Sequence, residues 1–452
     1  FFQNNSVFAQ SEKFSVTSDS TYKIAENGLA TVTQNFTFTN LTTQYFPAEY
    51  LAKISQKEIY NLRAYDKTGA LKIETKVVDN IRQINIKFGD TTIGEGKQIS
   101  WTVAYETWEV AKKQGSLWEI FVPRPSTLEG QTNFSVGLYL PDSFGKKIYI
   151  KPEPSLENHI WTDIKGAGIF AVYDSLNREE PYQGYDFKLT YNIYNPKLYP
   201  AYLEIALPPD TARQKVFIND ISPRPVNVRK DENGNWLARY QLGPTQKQNV
   251  IVKGSLAIFL NDKFFGTFVN YDKYLKIDDT KILENSPELK TPEDAYQFSV
   301  SYLPDNKTNL FVSLCRNLGI PAREIVGFAN GELHSWPEYY NYEKAAWTPV
   351  DPSWGRKTNG TDYFNILDFD HLVFAFGNPK PPDTYEINVH EGDLDVSLLP
   401  KLGFSTDVPS QITSGFGASA KIFLENYGPT VFAGGNVFFN DESLPTGELL
   451  PF

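Results

Sequence analysis

A thiol, an imidazole and a carboxylate follow one another in the second half of this chain. Cys315 is the sole cysteine of the 452 residues, His334 is one of four histidines, and Asp351 comes next. A thiol becomes a strong nucleophile when it is ionised, which requires an imidazole within hydrogen-bond reach and is favoured at a helix N-terminus. A carboxylate then holds the imidazole in the required tautomer. These residue types allow acyl transfer through a thiolate, provided that the fold brings them together.

Three sequence segments carry these groups: LFVSLCRNLGIPAREIVGF at 310–328, LHSWPEYYN at 333–341 and AAWTPVDPSWG at 345–355. The GIPAR box, the His-x-Trp-x-Glu string and the Trp-x-Pro-Val-Asp-Pro-x-Trp-Gly string match the transglutaminase-like superfamily in type, order and spacing. The chain therefore resembles these papain-type thiol enzymes strongly over 290–376. Its β-rich remainder resembles, more weakly, the domains that flank exported bacterial members.

The resemblance implies roles for two residues of this chain. His334 is expected as the catalytic base and Asp351 as the carboxylate that orients it, both on predicted strands. Trp336 and Trp354 are expected as core or cleft-wall aromatics. The alternatives are a structural histidine on a strand and an aspartate that caps a turn.

The nucleophile is absent from the position that the resemblance implies. Family members carry Cys about fifteen residues before the first Gly of the GIPAR box. Counting back from Gly319 reaches Pro304, which has no nucleophilic atom. The segment before Pro304 is also short for the family. Either the site has degenerated, or residues between Leu303 and Pro304 are missing from the sequence.

Cys315 is the alternative nucleophile. Its position in the sequence places it on one helical stripe with Leu310, Phe311, Leu314 and Leu318, which is the pattern of a core-facing surface. It also falls near the end of the predicted helix, where both the helix dipole and burial oppose a thiolate. We therefore predict a packed core thiol at Cys315.

Metal ligands are considered at two places. Asp368, Asp370 and His371 could ligate an ion, but a similar string often closes this domain in the resembling family. Residues 391–395 alternate acidic side chains as some calcium sites do, yet they lack the Gly and the closing Glu of a calcium loop. With four histidines in the whole chain, we predict no metal and no cofactor.

The elements that must position these residues have clear local signals. Thr291-Pro292-Glu293-Asp294 predicts a helix start, with Thr as N-cap, Pro in the first turn and Asp closing a capping box. A second helix is predicted over 308–318. Short strands are predicted at 324–329, 334–340 and 346–350, so this region is α+β.

The rest of the chain alternates apolar and polar residues in short runs, which indicates strands separated by turns. We predict a multidomain protein, mainly β-sandwich domains flanking an α+β transglutaminase-like domain. The predicted segments are 1–11 (signal-peptide remnant or tail), 12–185 (N-terminal β-sandwich), 186–265 (second β domain), 266–384 (transglutaminase-like domain) and 385–452 (C-terminal Ig-like β domain, incomplete).

Composition excludes some classes of function. The net charge of −11 and the absence of a dense Lys/Arg cluster argue against nucleic acid as a partner. The sequence contains no run of eighteen apolar residues, which is about the length that a helix needs to span a membrane. The beginning, FFQNNSVFAQ, resembles the end of a secretory signal, so we expect export to the cell envelope or beyond it, with a membrane anchor allowed outside the sequence.

Three functions remain open on these grounds. The first is an exported, catalytically degenerate transglutaminase-like module that binds a protein or peptide at the cell envelope. The second is an active Cys-His-Asp thiol acyltransferase or peptidase whose nucleophile is not visible in this sequence. The third is a structural subunit of a surface layer or filament. The sequence gives no oligomeric state.

Overall fold

The structure is a computed structural model of the whole sequence. About 55% of it is strand and 9% helix, arranged in many sheets, so the expectation of a mainly β protein is confirmed, while the sandwich arrangement stays a prediction. The chain divides into two compact units, Phe1–Pro181 with Asn359–Asp362 and Tyr182–Thr358 with Tyr363–Phe452. The residues described are 13–43, 47–54, 56–78, 81–89, 94–125, 131–156, 159–162, 164, 168–262, 271–277, 283, 286–302, 307–329, 331–357, 363–364, 367–377, 379–407, 411, 421–439 and 442–452.

The first unit is built from three sheets around an aromatic core. Their strand orders are β13-β11-β1-β2-β8-β4-β5, β12-β14-β10-β9 and β3-β7-β6. The strands are β1 (Phe14–Ile24), β2 (Ala30–Asn40), β3 (Glu49–Ile54), β4 (Tyr60–Asp66), β5 (Gly69–Ala70), β6 (Lys72–Val78), β7 (Ile81–Lys87), β8 (Gln98–Thr107), β9 (Ala111–Gln114), β10 (Leu117–Pro123), β11 (Gln131–Tyr139), β12 (Lys146–Lys151), β13 (Ile160–Trp161) and β14 (Gly168–Asp174), with a 3₁₀ turn at Asp142–Phe144.

The hairpin at the start of this unit shows how local sequence becomes packing. Asn27-Gly28 predicts a tight turn, and Gly28 has φ +92° between the paired strands β1 and β2. Along β2 the apolar side chains of Val32, Phe36 and Phe38 are buried, and they alternate with more exposed neighbours. They join the core of this unit, because a period of two places them on one face of the sheet.

The second unit combines β sheets with three α-helices. Its strand orders are β17-β20-β15-β25, β16-β19-β18, β23-β22-β21-β24, β26-β27 and β28-β29. The elements are β15 (Tyr182–Tyr194), β16 (Ala201–Leu207), β17 (Gln214–Ser222), β18 (Asn227–Lys230), β19 (Trp236–Leu242), β20 (Lys247–Phe259), a 3₁₀ turn (Tyr271–Leu275), α1 (Pro292–Ser301), α2 (Lys307–Asn317), β21 (Ala322–Ala329), β22 (Glu332–Asn341), β23 (Ala346–Pro349), α3 (Pro352–Lys357), β24 (Leu372–Phe376), β25 (Thr384–Val389), β26 (Leu402–Asp407), β27 (Lys421–Asn426), β28 (Gly435–Phe439) and β29 (Glu442–Thr446).

Helix α1 begins where the sequence predicts. The Thr291 hydroxyl accepts a hydrogen bond from the Asp294 N–H at 3.1 Å, and the Asp294 carboxylate accepts one from the Thr291 N–H at 3.0 Å. This capping box satisfies two N–H groups that would otherwise lack partners, an effect worth about 1 kcal/mol. The predicted second helix is α2. No helix among the described residues is long and apolar enough to cross a membrane.

Strand β25 joins a sheet far from it in sequence. It pairs antiparallel with β15, with Tyr185 opposite Val389 and Thr190 opposite Thr384. Strand β15 also pairs with β20 over its whole length. The strand that follows the helical region therefore completes the sheet of the preceding β segment.

Candidate active site

One histidine lies on a strand of the antiparallel sheet β23-β22-β21-β24, and a second lies directly before another of its strands. His334 lies on β22, directly opposite Gly327 of β21, and His371 immediately precedes β24. A Cβ at Gly327 would lie 2.1 Å from the Leu372 carbonyl oxygen and 2.5 Å from the Trp336 ring. Only glycine allows these strands and this ring to pack so closely.

His334 and Asp351 form a direct pair. The Nε2 atom of His334 lies 2.7 Å from Oδ2 of Asp351, and Nδ1 of His334 has no hydrogen-bond partner among the described residues. The His334 side chain keeps 16% of its surface exposed, whereas that of Asp351 is fully buried. Burial by itself raises the pKa of Asp351, but hydrogen bonds from His334 and His371 outweigh it and lower the pKa to about 2.

Asp351 does not lie on a strand, contrary to the sequence prediction. Strand β23 ends at Pro349, and Asp351 stands at the start of α3. Its Oδ1 atom accepts a hydrogen bond from the Trp354 N–H at 2.8 Å, as an N-cap does. Asp351 can therefore both orient the imidazole and cap a helix, because one carboxylate oxygen faces His334 and the other accepts from the helix backbone.

A second histidine, which the sequence does not predict as part of the site, contacts the same carboxylate. Nε2 of His371 lies 3.1 Å from Oδ2 of Asp351, and its Nδ1 lies 2.6 Å from Oδ1 of Asp368. Burial opposes a charged ring, but the carboxylates of Asp368 and Asp351 outweigh it and raise the pKa of His371 to about 10. The two carboxylates therefore favour the protonated form of the ring.

Asp368 is itself held in place. Its Oδ2 atom accepts a hydrogen bond from the Tyr363 hydroxyl at 2.9 Å, and its Oδ1 atom accepts one from the Asp370 N–H at 3.0 Å. The signal in the sequence is the string from Asp368 to His371, which by itself indicates only a candidate set of metal ligands. Nothing in that string shows which carboxylate His371 meets.

The two tryptophans differ in burial. Trp336 is fully buried, with its ring centroid 5.0 Å from that of His371 in an edge-on arrangement. Trp354 is half-buried, and its ring centroid lies 5.0 Å from that of His334. Trp336 is thus a core aromatic beneath the cluster, and Trp354 lies beside its more accessible histidine.

The first turn of α2 lies against the strand that carries His334. The Thr308 hydroxyl donates a hydrogen bond to the Ser335 carbonyl at 3.1 Å. The Lys307 amine is buried and donates to the Ser299 carbonyl at 3.1 Å near the end of α1. Pro304, the position implied for the nucleophile, lies outside the described residues.

Cys315 lies in the last turn of the same helix. Its thiol is fully buried in a core with Phe311, Leu314 and Tyr339, as the apolar stripe predicts. Burial raises the pKa of Cys315 far above its usual range. The sole thiol of the chain is therefore kept protonated. It lies in the last turn of α2, whereas Thr308, which contacts the strand of His334, lies in the first turn.

A cavity of about 400 Å³ adjoins the buried side of the cluster. The indole N–H of Trp336, one of its lining residues, has no hydrogen-bond partner among the described residues. The lining includes both charges and aromatic rings, among them Arg213, Arg323, Trp336, Glu338, Trp347 and His371.

A family model described as the transglutaminase-like superfamily matches residues 273–352. This part of the chain is a transglutaminase-like domain. The match includes His334 and Asp351, and His371 lies beyond its end. It covers less than a fifth of the 452 residues, so it describes this domain and not the whole chain. The search of curated proteins found no match.

Solved structures give distant matches. A structure from Cytophaga hutchinsonii called "a Putative Cysteine Protease" is 12% identical, with a TM-score of 0.29, covering 60% of this chain and 98% of that one. Leukotriene A4 hydrolase from Saccharomyces cerevisiae is 10% identical, with a TM-score of 0.22, covering 40% of this chain and 32% of the hydrolase. A Streptococcus agalactiae AgI/II polypeptide C-terminal domain is 10% identical, with a TM-score of 0.17, covering 55% and 92%. Scores this low carry no argument about mechanism.

Proposed function

We propose that this chain is an exported, envelope-associated protein whose transglutaminase-like domain binds a protein or peptide without thiol catalysis. The observation that carries the proposal is the position of the sole thiol. Cys315 is fully buried in the last turn of α2, whereas His334 lies on the strand that the first turn contacts. The imidazole and carboxylate of a thiol enzyme are thus present without a thiol beside them.

The chemistry of the cluster agrees with this proposal. An imidazole activates a thiol by accepting its proton at hydrogen-bond distance. Nδ1 of His334 has no such partner among the described residues, and burial keeps the Cys315 thiol protonated. Pro304 offers no atom that could form an acyl-enzyme. We therefore interpret the His334–Asp351 pair as a structural part of the transglutaminase-like fold that does not take part in thiol catalysis.

The cavity beside the cluster supports binding. A volume of about 400 Å³ is within the range of small-ligand or side-chain sites. Arg323 and Glu338 in its lining are paired with each other, and the Arg323 guanidinium lies over the Trp347 ring, so a charged pair and an aromatic side chain share this lining. Export rests on the N-terminal sequence pattern alone.

Installing a nucleophile tests the first part of the proposal. The native chain should incorporate no amine into a glutamine substrate and hydrolyse no peptide. The Pro304→Cys variant should gain a thiol that iodoacetamide modifies rapidly near neutral pH, and His334→Ala in that background should slow the modification. Pro304→Ala is the matched control, and its Cys315 should stay unmodified in the folded state.

The alternative is an active thiol enzyme, and the 2.7 Å contact between His334 and Asp351 favours it. It predicts that the native chain forms an acyl-enzyme and that His334→Ala abolishes activity. Amine incorporation with that dependence would overturn the proposal. Peptide mapping across 295–312 would then show whether a cysteine precedes Pro304.

Peptide selection tests the binding role. A random peptide library passed over the folded chain should yield ligands that lose binding when Trp347, a cavity residue, is replaced by alanine. Lys188→Ala on β15, outside the cavity lining, is the control. Ligands that bind both variants equally would place recognition elsewhere on the chain.

A further inference from the structure

We propose that His334, Asp351 and His371 bind one divalent cation of the zinc class. One ring nitrogen of each histidine and one carboxylate oxygen of Asp351 all lie within 4.8 Å of one another, and both Nε2 atoms contact Oδ2 of Asp351. Two imidazoles and one carboxylate form a donor set that zinc and related ions prefer. The inference goes beyond the proposed function, since it concerns cation binding by the chain itself and requires neither a partner nor the presence or absence of thiol chemistry.

The buried histidine has the second contact that metal-bound histidines usually have. Nδ1 of His371 donates to Asp368 at 2.6 Å, which directs its Nε2 atom toward Asp351. Asp368 is fixed in turn by Tyr363 and by the backbone N–H of Asp370. Such a carboxylate–histidine–metal arrangement sets the tautomer of the ring and raises its basicity as a ligand.

Asp351 has one carboxylate oxygen positioned to act as a metal ligand. Its Oδ1 atom is occupied by the Trp354 N–H, while Oδ2 faces both imidazoles at 2.7 and 3.1 Å. Bonds of 2.0–2.1 Å to a tetrahedral zinc place ligand atoms about 3.3 Å apart. The contacts to Oδ2, now 2.7 Å from His334 and 3.1 Å from His371, would therefore lengthen to about 3.3 Å as the ion replaces the protons that the three groups share.

Access to the ion would be from the His334 side. The side chain of His334 keeps 16% of its surface exposed, against 1% for His371 and none for Asp351. Three protein ligands with one accessible edge leave a fourth position for water, as in zinc sites that are not closed by a fourth side chain.

The chain contains its own control for this inference. Nδ1 of His390 lies 2.9 Å from Oδ2 of Asp186, a contact much like that between His334 and Asp351. No further histidine faces Asp186 among the described residues. A histidine–carboxylate pair of similar distance is therefore available that lacks a second histidine in the part of the chain that the structure describes.

The test is a zinc titration of the full chain after treatment with EDTA and gel filtration. We expect one zinc per chain, removed by His371→Gln and by His334→Gln but not by His390→Gln. Asp368→Asn should weaken binding about 10–100-fold, because it loosens a metal-bound histidine without removing a ligand. Near-UV circular dichroism of the metal-free variants reports whether they fold, and His334→Gln, at the accessible edge, decides the test if His371→Gln does not fold.

Cobalt(II) gives an independent readout on the native chain, since a tetrahedral site with nitrogen and oxygen ligands absorbs visible light. Absorption that saturates at one cobalt per chain and is reversed by zinc supports the site. The proposal is wrong if the native chain retains no zinc, because protons alone then hold the cluster together. Stoichiometric zinc that persists in both His334→Gln and His371→Gln would also overturn it, by placing the ion elsewhere.

Discussion

Two histidine–carboxylate pairs of the second unit have nearly the same contact distance and very different surroundings. His334 and Asp351 are 2.7 Å apart, and His390 and Asp186 are 2.9 Å apart. The Asp351 side chain is fully buried and meets a second imidazole, whereas half of the Asp186 side chain is exposed. Water can replace a lost partner at Asp186 but not at Asp351. The contact distance alone therefore does not indicate how much each pair contributes to the free energy of unfolding.

The largest expected effect is the loss of the shared carboxylate. Asp351→Ala removes the partner of two imidazoles and the cap of α3, so we expect it to cost about 3–5 kcal/mol in the free energy of unfolding. Asp186→Ala should cost less than about 1 kcal/mol. Urea denaturation followed by tryptophan fluorescence measures both. Equal losses at the two positions would show that burial does not separate these pairs.

Asp174 is a buried aspartate whose partner is an arginine, whereas the partners of Asp351 are histidines. Burial raises its pKa, but hydrogen bonds from Arg178 and from backbone N–H groups outweigh burial and leave the pKa below the usual range. A carboxyl with a lowered pKa in the folded state stabilises above its unfolded value of about 3.9, and this stability is lost as the pH falls through the folded pKa.

Asp174→Asn should therefore lower the stability of the first unit at pH 7 by about 1.5–3 kcal/mol. It should also flatten the decline in stability below about pH 4. Hydrogen exchange of peptides from β14, measured at several pH values, reports on this unit. An unchanged acid profile would assign the decline to other carboxylates.

The two glycines beside these pairs sharpen the comparison. A Cβ at Gly327 would lie 2.1 Å from a backbone oxygen, whereas one at Gly184 would meet the His390 Cβ at 3.0 Å. Gly327→Ala should cost about 1–3 kcal/mol, because strands β21 and β24 must separate. Gly184→Ala should cost less, because a neighbouring side chain can shift. Melting temperatures of the two variants rank the effects, and a larger loss at Gly184 would contradict the packing described at Gly327.

The smallest expected effect concerns the exposed pair next to Asp186 on β15. Lys188 contacts Glu386 at 2.6 Å, with both side chains well exposed. Glu386→Gln should change stability by less than about 1 kcal/mol, and 1 M salt should remove the difference, because ions screen such charges. A larger, salt-independent loss would show that exposure is a poor guide to these energies.

Local sequence predicted the features that depend on neighbouring residues. The capping box at Thr291 and Asp294 involves side chains three positions apart, and the turn at Gly28 requires a residue that tolerates positive φ. The burial of Cys315 follows from its place on one apolar helical stripe. The sequence also resembled a transglutaminase-like domain, and the family-model match over 273–352 agrees with that resemblance.

Features that depend on chain topology could not be predicted in this way. Asp351 was expected on a strand, yet β23 ends at Pro349 and the carboxylate caps α3. The pairing of β25 with β15 joins segments separated by the whole helical region. The strand pairing does not follow from alternation or residue type, because these signals describe which face of an element is buried and not which element covers it.

The sequence by itself determined that a thiol, an imidazole and a carboxylate exist in order, that the sole thiol lies on a core-facing stripe, and that most of the chain forms strands. Only the tertiary structure decided that Asp351 serves two imidazoles and that His371 lies between Asp351 and Asp368. The physical reason is that strand pairing and helix packing bring these side chains together from separate elements. In a buried site, the charge state of each group is then set by the others.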